Sequence, residues 1–442
     1  MKKSLLVFAA VLLCLSLVAC NSDHAPAETN PAPTETNGTG MSEPGGWTEA
    51  QMPDALPTSG WVANAHVSTE PYAFTEDGFY HIMNGCLCYT DTTVGHTVFL
   101  CSKPGCLHGE AESGRDRAKC DANVHGLVCI MFYHGDTLYY ATFEDENGYE
   151  LYARNPDGTG LRSVDTLCGT LASSESSAQI GSWALSCGDL YYTVNVDRIT
   201  EGEDDVFTYD NSMIALVRYD LSAGKEELLL SAEDSFLGLC GVNDDMAILW
   251  MSYLPTAEEM MRPDYEEYEK QFPAYLRLWH EEGGGVSTLC EMDRSATNYT
   301  IGFANGKLHL YGGEDTKRYA YNLASMTFGD SDLPADASRI WNEKYVAAYW
   351  QGYYDLESGA FLTNEYDTMQ LPAGIDQFGA SPEGFGEQGF VIQEFYFKDH
   401  RGVFDNFVYI PYEKMNDGMQ LSDRILFMRY DDDGYHIIQP EG

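Results

Sequence analysis

Apolar residues in this chain come in short runs with a period of two, broken by glycine, asparagine and aspartate. Long helical periodicity is scarce. From about Trp61 onward the runs read as strands: alternating apolar positions such as Ile248 and Trp250 would fill the space between packed sheets. A turn followed by an aromatic strand recurs at Glu76-Asp77-Gly78-Phe79-Tyr80, Gly135-Asp136-Thr137-Leu138-Tyr139-Tyr140 and Gly188-Asp189-Leu190-Tyr191-Tyr192. Weaker copies stand at Asn243-Asp244-Asp245-Met246, Asn305-Gly306-Lys307-Leu308, Asn342-Glu343-Lys344-Tyr345 and Glu387-Gln388-Gly389-Phe390. Acids and glycines sit where hairpins need unusual dihedrals.

Each copy is followed by a second strand pair, as at Leu151 to Gly158, Val217 to Asp220 ahead of Gly224, Tyr353 to Asp355 ahead of Gly359, and Met428 to Asp431 ahead of Gly434. Leu100-Cys101, Leu167-Cys168 and Leu289-Cys290 mark the end of a fourth strand. Three marks recurring in one order predict an all-β fold, a β-propeller of about seven four-stranded blades, with six or eight as alternatives. The pattern resembles TolB-like propellers, most closely at Asn155-Pro156-Asp157-Gly158-Thr159-Gly160. That resemblance implies the fold and names no ligand.

The N-terminus follows a different pattern. Lys2 and Lys3 precede an apolar run from Ser4 to Ser16, too short to span a bilayer, which ends in Leu17-Val18-Ala19-Cys20. The ending resembles a lipobox. The resemblance implies a signal peptide over residues 1–19, cleavage before Cys20, and a lipid on Cys20 that anchors the protein to the cell membrane on its extracytoplasmic side. Residues 20–60 then read as a disordered tether rich in Pro, Thr, Glu, Asn and Gly, with a reach of roughly 35 Å. The propeller is expected over residues 61–442.

Insertions within the repeats point to a binding face, because loops on a rigid scaffold commonly carry recognition. Propeller loops between second and third strands emerge on the same face as the connections between blades. Four enlarged loops are expected there: Glu144-Asp145-Glu146-Asn147; Asp197 to Ser212 with Glu203, Asp204 and Asp205; Pro255 to Pro273; and Asp399 to Asp423. The third contains a short helix, with Thr256 and Glu259 spaced as a capping box. Met260, Met261, Tyr265, Tyr268 and Phe272 are expected to pack it onto the ring, with an exposed adaptable contact surface as the alternative, leaving Asp264, Glu266 and Glu267 outward.

Charge narrows the partners. The formal net charge is −44, and without Lys2 and Lys3 the chain has 23 basic against 69 acidic residues, or −46. No Lys or Arg lies between Lys3 and Lys103. Nucleic acid is excluded, since phosphate backbones demand a basic stripe. Anionic polymers are repelled, and a basic peptide or protein or a divalent cation is favoured.

The sharpest chemical constellation is Cys101, Cys106, His108 and Cys120, spaced Cys-x4-Cys-x-His-x11-Cys with Lys103-Pro104-Gly105 as a turn. Three thiols and an imidazole suit tetrahedral zinc, while export equally permits disulfides among Cys101, Cys106 and Cys120 or with Cys86, Cys88 or Cys129. Free buried thiols are the third reading. The run from Phe99 to His108, with Cys120-Asp121-Ala122, resembles propeller lipoproteins of anaerobic bacteria, which have no assigned activity to transfer. Cys168, Cys187, Cys240 and Cys290 read as small buried hydrophobes.

No Gly-x-Ser-x-Gly elbow, His-Glu-x-x-His helix or phosphate-binding glycine loop occurs in the chain. Binding or scaffolding of a peptide, protein or glycan through the acidic loop face therefore stands ahead of the alternative, a glycan hydrolase or lyase using carboxylates from different blades.

Overall fold

The computed structural model describes residues 49–439 apart from 67–70, 107, 109–118, 144–147, 174–175, 202–206, 234, 270, 273, 283–284, 293–295, 313–316, 343, 349–351, 364–368, 416–417 and 419. Seven antiparallel sheets follow one another along the chain, each a meander in sequence order. They are the blades of a propeller: one over residues 73–99, two over 127–167, three over 176–232, four over 235–292, five over 296–330, six over 337–363 and seven over 377–437.

All seven recurring turns join the first and second strands of their blades, at Asp77, Asp136, Cys187-Gly188, Asp244, Asn305-Gly306, Asn342 and Gln388. Asp136, Asp244 and Asn305 adopt positive φ (57°, 45° and 51°), which short polar residues tolerate better than branched ones. Because a meander alternates direction, these turns and the links between third and fourth strands form one face, here the turn face. Links between second and third strands, and the connections between blades, form the loop face.

The core lies between neighbouring sheets. Blades two and three bury Ile130, Leu151, Tyr192 and Val217 together, and blades four and five bury Ile248, Trp250, Leu308 and Tyr321. Each such side chain contributes about 1.5–3 kcal/mol when fully buried. Successive side chains of one strand enter successive cores: Ile248 and Trp250 pack with blade five, Ala247, Leu249 and Met251 with blade three.

The seam between blades seven and one is closed without strand exchange, since each of these two sheets is built from its own segment of chain. Apolar packing holds it: Phe79, Met83 and Cys88 of blade one meet Val391, Phe407, Tyr409 and Phe427 of blade seven. Gln439 Nε2 also donates to the Thr97 carbonyl at 2.7 Å.

A strap ahead of blade one braces the opposite side of the ring. Packing begins at Glu49, inside the stretch whose composition reads as tether: the Ala50 amide donates to the Val286 carbonyl (3.0 Å), and Leu56 is buried. Trp61 stacks on Phe303 with ring centroids 5.5 Å apart. Val62–Ala63 then pairs with the innermost strand of blade four (Ser235–Asn243), and Ala65–His66 with that of blade three (Ser176–Ser186). The approach is close at Gly241, where a Cβ would stand 2.4 Å from the Phe303 ring and 2.7 Å from the Val62 carbonyl oxygen.

Blade seven corrects one expectation. The stretch Asp399 to Asp423 is not a single loop: Asp399 and His400 make a tight turn, and Arg401–Pro411 is a full third strand that buries Phe407, Val408, Tyr409 and Ile410. The inserted part, residues 412–424, links the third and fourth strands and so lies on the turn face, where the Tyr412 amide donates to the Gln388 carbonyl (2.8 Å). Gly434–Ile437 adds a fifth strand. Of the four expected segments, those of blades two, three and four therefore join second to third strands, and that of blade seven does not.

Candidate functional site

The loop face carries the site. Blade three sends up a long hairpin, Asp189–Glu201 against Phe207–Asp220, and blade four carries two short helices, Ala257–Met260 and Tyr265–Glu269. The capping box forms as expected. Thr256 N–H donates to Glu259 Oε2 (2.8 Å), and Glu259 N–H donates to Thr256 Oγ1 (3.3 Å). Tyr253 and Tyr268 hydroxyls also donate to the Glu259 carboxylate, and these bonds, led by that from Tyr268, pull its pKa down to about 2.

The apolar residues of this insertion divide into two groups. Phe272 is buried on Tyr253 (4.6 Å between centroids), with Tyr268 edge-on to it at 5.0 Å. Met260 and Met261, expected to pack, stand out in solvent instead, Met261 with 80 % of its surface exposed. The helix that should have turned them inward stops at Met260, ahead of Pro263, so no second turn aligns them with the ring. Asp264 is exposed and paired with Arg262 (3.0 Å), and Glu267 is exposed. Glu144, Asp145, Glu146, Glu203, Asp204 and Asp205 lie outside the described residues, as does the side chain of Glu266; their segments join second to third strands as expected.

The Cys/His constellation forms on the connection from blade one to blade two. Cys101 directly follows His96–Phe99, and its neighbour Leu100 is buried, its amide bonded to the Leu87 carbonyl (3.0 Å). The chain then reverses at Lys103-Pro104-Gly105: Gly105 takes φ +70°, and the Cys106 amide donates to the Lys103 carbonyl (3.3 Å). His108 also has positive φ (51°), and Phe99 stacks on its ring at 4.4 Å. The Cys120 limb is fixed on the same strand of blade one and on blade two. The Leu87 amide donates to the Ala122 carbonyl (2.8 Å), and the Val124 amide to the Gly85 carbonyl (2.9 Å). Buried Arg154 of blade two holds the Asp121 and Asn123 carbonyls, and Lys103 bridges the limbs through Asp121 (2.6 Å).

Two limbs, both anchored on Leu87 and the second also on Arg154, thus converge. One ligand atom from each of Cys101, Cys106, His108 and Cys120 lies within 4.8 Å of the others, and Cys120 Sγ is 3.6 Å from His108 Nδ1. With Zn–S near 2.3 Å and Zn–N near 2.05 Å, tetrahedral zinc requires S–S edges of about 3.8 Å and S–N edges of about 3.6 Å. The Cys–His edge already fits. The remaining atoms need to contract by at most about 1 Å, well within side-chain rotation. Among the described residues this is the one place where three or more His, Cys, Asp or Glu side chains converge in this way.

Electrostatics differ across the group. Burial raises Cys101, but amide groups of Lys103 and Asp121 and the thiols of Cys120 and Cys106 outweigh it and hold that thiol below its usual range. Burial pushes Cys120 well up. No disulfide joins cysteines among the described residues. Cys168 and Cys240 are buried and Cys290 half-buried, as small hydrophobes should be; Cys187 is exposed, because it occupies the first-to-second strand turn of blade three at φ 52° and points its thiol at Asp244 (2.7 Å).

Two groups escaped the sequence reading. Glu394 is completely buried, paired with Arg424 and accepting from Tyr396 Oη (2.8 Å) and Asn406 Nδ2 (3.2 Å). Its signal was available, as an acid at an inward position of the alternation Phe390, Ile392, Glu394, Tyr396. Arg339, on the innermost strand of blade six, had no such signal.

No family model matches the chain, and no curated protein matches it. Solved structures match its fold. A puromycin hydrolase S511A mutant complexed with PGG is 12 % identical, with 85 % of this chain and 55 % of that chain covered and a TM-score of 0.46. TolB from Acinetobacter baumannii is 13 % identical, with 79 % and 80 % covered and a TM-score of 0.32. An oligogalacturonate lyase in complex with manganese is 9 % identical, with 67 % and 62 % covered and a TM-score of 0.25. The chain spans about half the length of the puromycin hydrolases it resembles.

Proposed function

We propose that this propeller is a binding or scaffolding protein, held outside the cell by lipid on Cys20, that engages an extracytoplasmic peptide, protein or glycan through its loop face. The blade four insertion carries the proposal. Its base is tied down by Glu259, Tyr253 and Tyr268, while its tip presents Met260 and Met261 to solvent. Methionine is polarizable and adaptable, suited to contact surfaces, and a rigid base limits the entropy lost when such a tip is covered.

Zinc on Cys101, Cys106, His108 and Cys120 serves this face as a structural clamp. Four protein ligands leave no open position for substrate, which is the pattern of structural and not catalytic zinc. The ion would draw the connection between blades one and two against the ring and fix the loop surface around it.

A photo-crosslinking amino acid at Met261, displayed on whole cells, tests the binding face. The reading requires a discrete adduct at Met261, lost when Met260 is changed to Asp, and none from the same probe at Asp136 on the turn face. Equal labelling from both faces overturns it.

A further inference from the structure

In a chain with so large an acidic excess, several arginines have polar partners: Arg154 holds carbonyls, Arg218 pairs with Glu227 and Glu281, Arg424 with Glu394, and Arg429 donates to Asn406. Arg339 does not. It belongs to Ala337–Ile340, the innermost strand of blade six, which lines the central channel near the turn face. Its guanidinium lies over the Phe385 ring, 4.3 Å from the centroid, and the other side of that ring stacks on Phe390 at 6.0 Å. Among the described residues no carboxylate is bonded to it.

The side chain is open to water, yet the protein around it is dense enough that desolvation lowers its pKa from the ordinary arginine value. Tyr412 and Tyr311 are the titratable groups that act on it. Stacking on Phe385 restrains the guanidinium plane and leaves its N–H fork unused, an arrangement suited to a carboxylate approaching edge-on.

We infer that the channel beside Arg339 binds the free carboxylate of an extended peptide, held by the Arg339 fork over Phe385. Two observations select a peptide. The protein's own strap, Val62–His66, already adds strands to the inner edges of blades three and four, so channel-facing edges in this ring accept extended backbone; among the described residues the corresponding edge of blade six carries no strand in its sheet. The second is charge. A net charge of −44 repels polyanions such as uronate chains, whereas a peptide terminus brings one carboxylate to one local cation. This site is separate from the loop face and does not depend on it.

The test is equilibrium dialysis of the full-length protein against a pool of N-acetylated random tetrapeptides with free C-termini, read by mass spectrometry beside the same pool amidated. Free acids should be retained at least about tenfold over amides, a preference lost in Arg339→Gln and weakened in Phe385→Leu, since a charge-assisted pair of this kind is worth about that factor or more. The melting curve of Arg339→Gln should match the parent, because Arg339 pairs with no other side-chain charge, whereas Phe385→Leu should melt lower, since Phe385 packs on Phe390 and the core around it. Equal retention of acids and amides, retention of neither pool, or unchanged preference in Arg339→Gln overturns the inference. Retention of oligogalacturonate in place of peptides overturns the choice of ligand.

Discussion

Replacing Gly241 with alanine should loosen the strap without touching a blade core. The added Cβ would lie 2.4 Å from the Phe303 ring edge and 2.7 Å from the Val62 carbonyl, both closer than carbon atoms normally approach. Phe303 cannot swing away freely, since Trp61 stacks on it, and moving Val62 breaks its pairing with Val242. Overpacking of this kind costs about 1–3 kcal/mol. Loss of glycine's freedom in the unfolded chain returns about 0.4–1 kcal/mol. The net expectation is destabilisation by about 1–2 kcal/mol, read by denaturant unfolding, together with faster protease cleavage between residues 49 and 66. Gly329→Ala is the control, having nothing within 4 Å of its Cβ position, and should be neutral or slightly stabilising. Equal behaviour of the two variants, or a Gly241→Ala protein as stable as the parent, refutes the reasoning.

Two further outcomes follow from buried charge and burial. Glu394→Leu leaves Arg424 without its buried carboxylate and should cost about 3–5 kcal/mol in denaturant unfolding, most of which Glu394→Leu combined with Arg424→Met recovers. His81 is buried between blades one and seven, bonded through Nε2 to Thr90 (3.0 Å) with Nδ1 unpartnered, and burial lowers its pKa to about 3. Its folded value lies below its unfolded value, so its contribution is complete above pH 6.5 and is lost as pH falls toward 3; stability measured across that window should decline less steeply in His81→Gln.

The parts of the fold visible in the sequence are those with local chemistry. Asp77, Asp136, Asp244 and Asn305 announced their turns because such residues suit tight hairpins, and Ile248 and Trp250 announced the space between sheets because period two puts them on the same face of their strand. The third strand of blade seven was missed since Arg401-Gly402-Val403 opens it with exposed residues, and its apolar half adjoins the inserted segment. The strap was illegible for a different reason. Its strands are two residues long, too short to show any period, and Leu56 and Trp61 are isolated apolar residues in a Pro- and Ser-containing stretch. Cys101, Cys106, His108 and Cys120 were recognisable as ligand types. Their convergence was not, because it depends on Arg154, far along the chain, holding the Cys120 limb in place.

The central structural claim is the clamp on the loop face, and the most direct measurement is metal content together with free-thiol count on the full-length protein, purified without chelators and without added zinc. The account predicts close to one zinc per chain, lost in Cys106→Ser together with order in the connection between blades one and two. Absence of metal, with Cys101, Cys106 and Cys120 blocked against thiol reagents under denaturing conditions, would contradict it and make the cluster a disulfide staple.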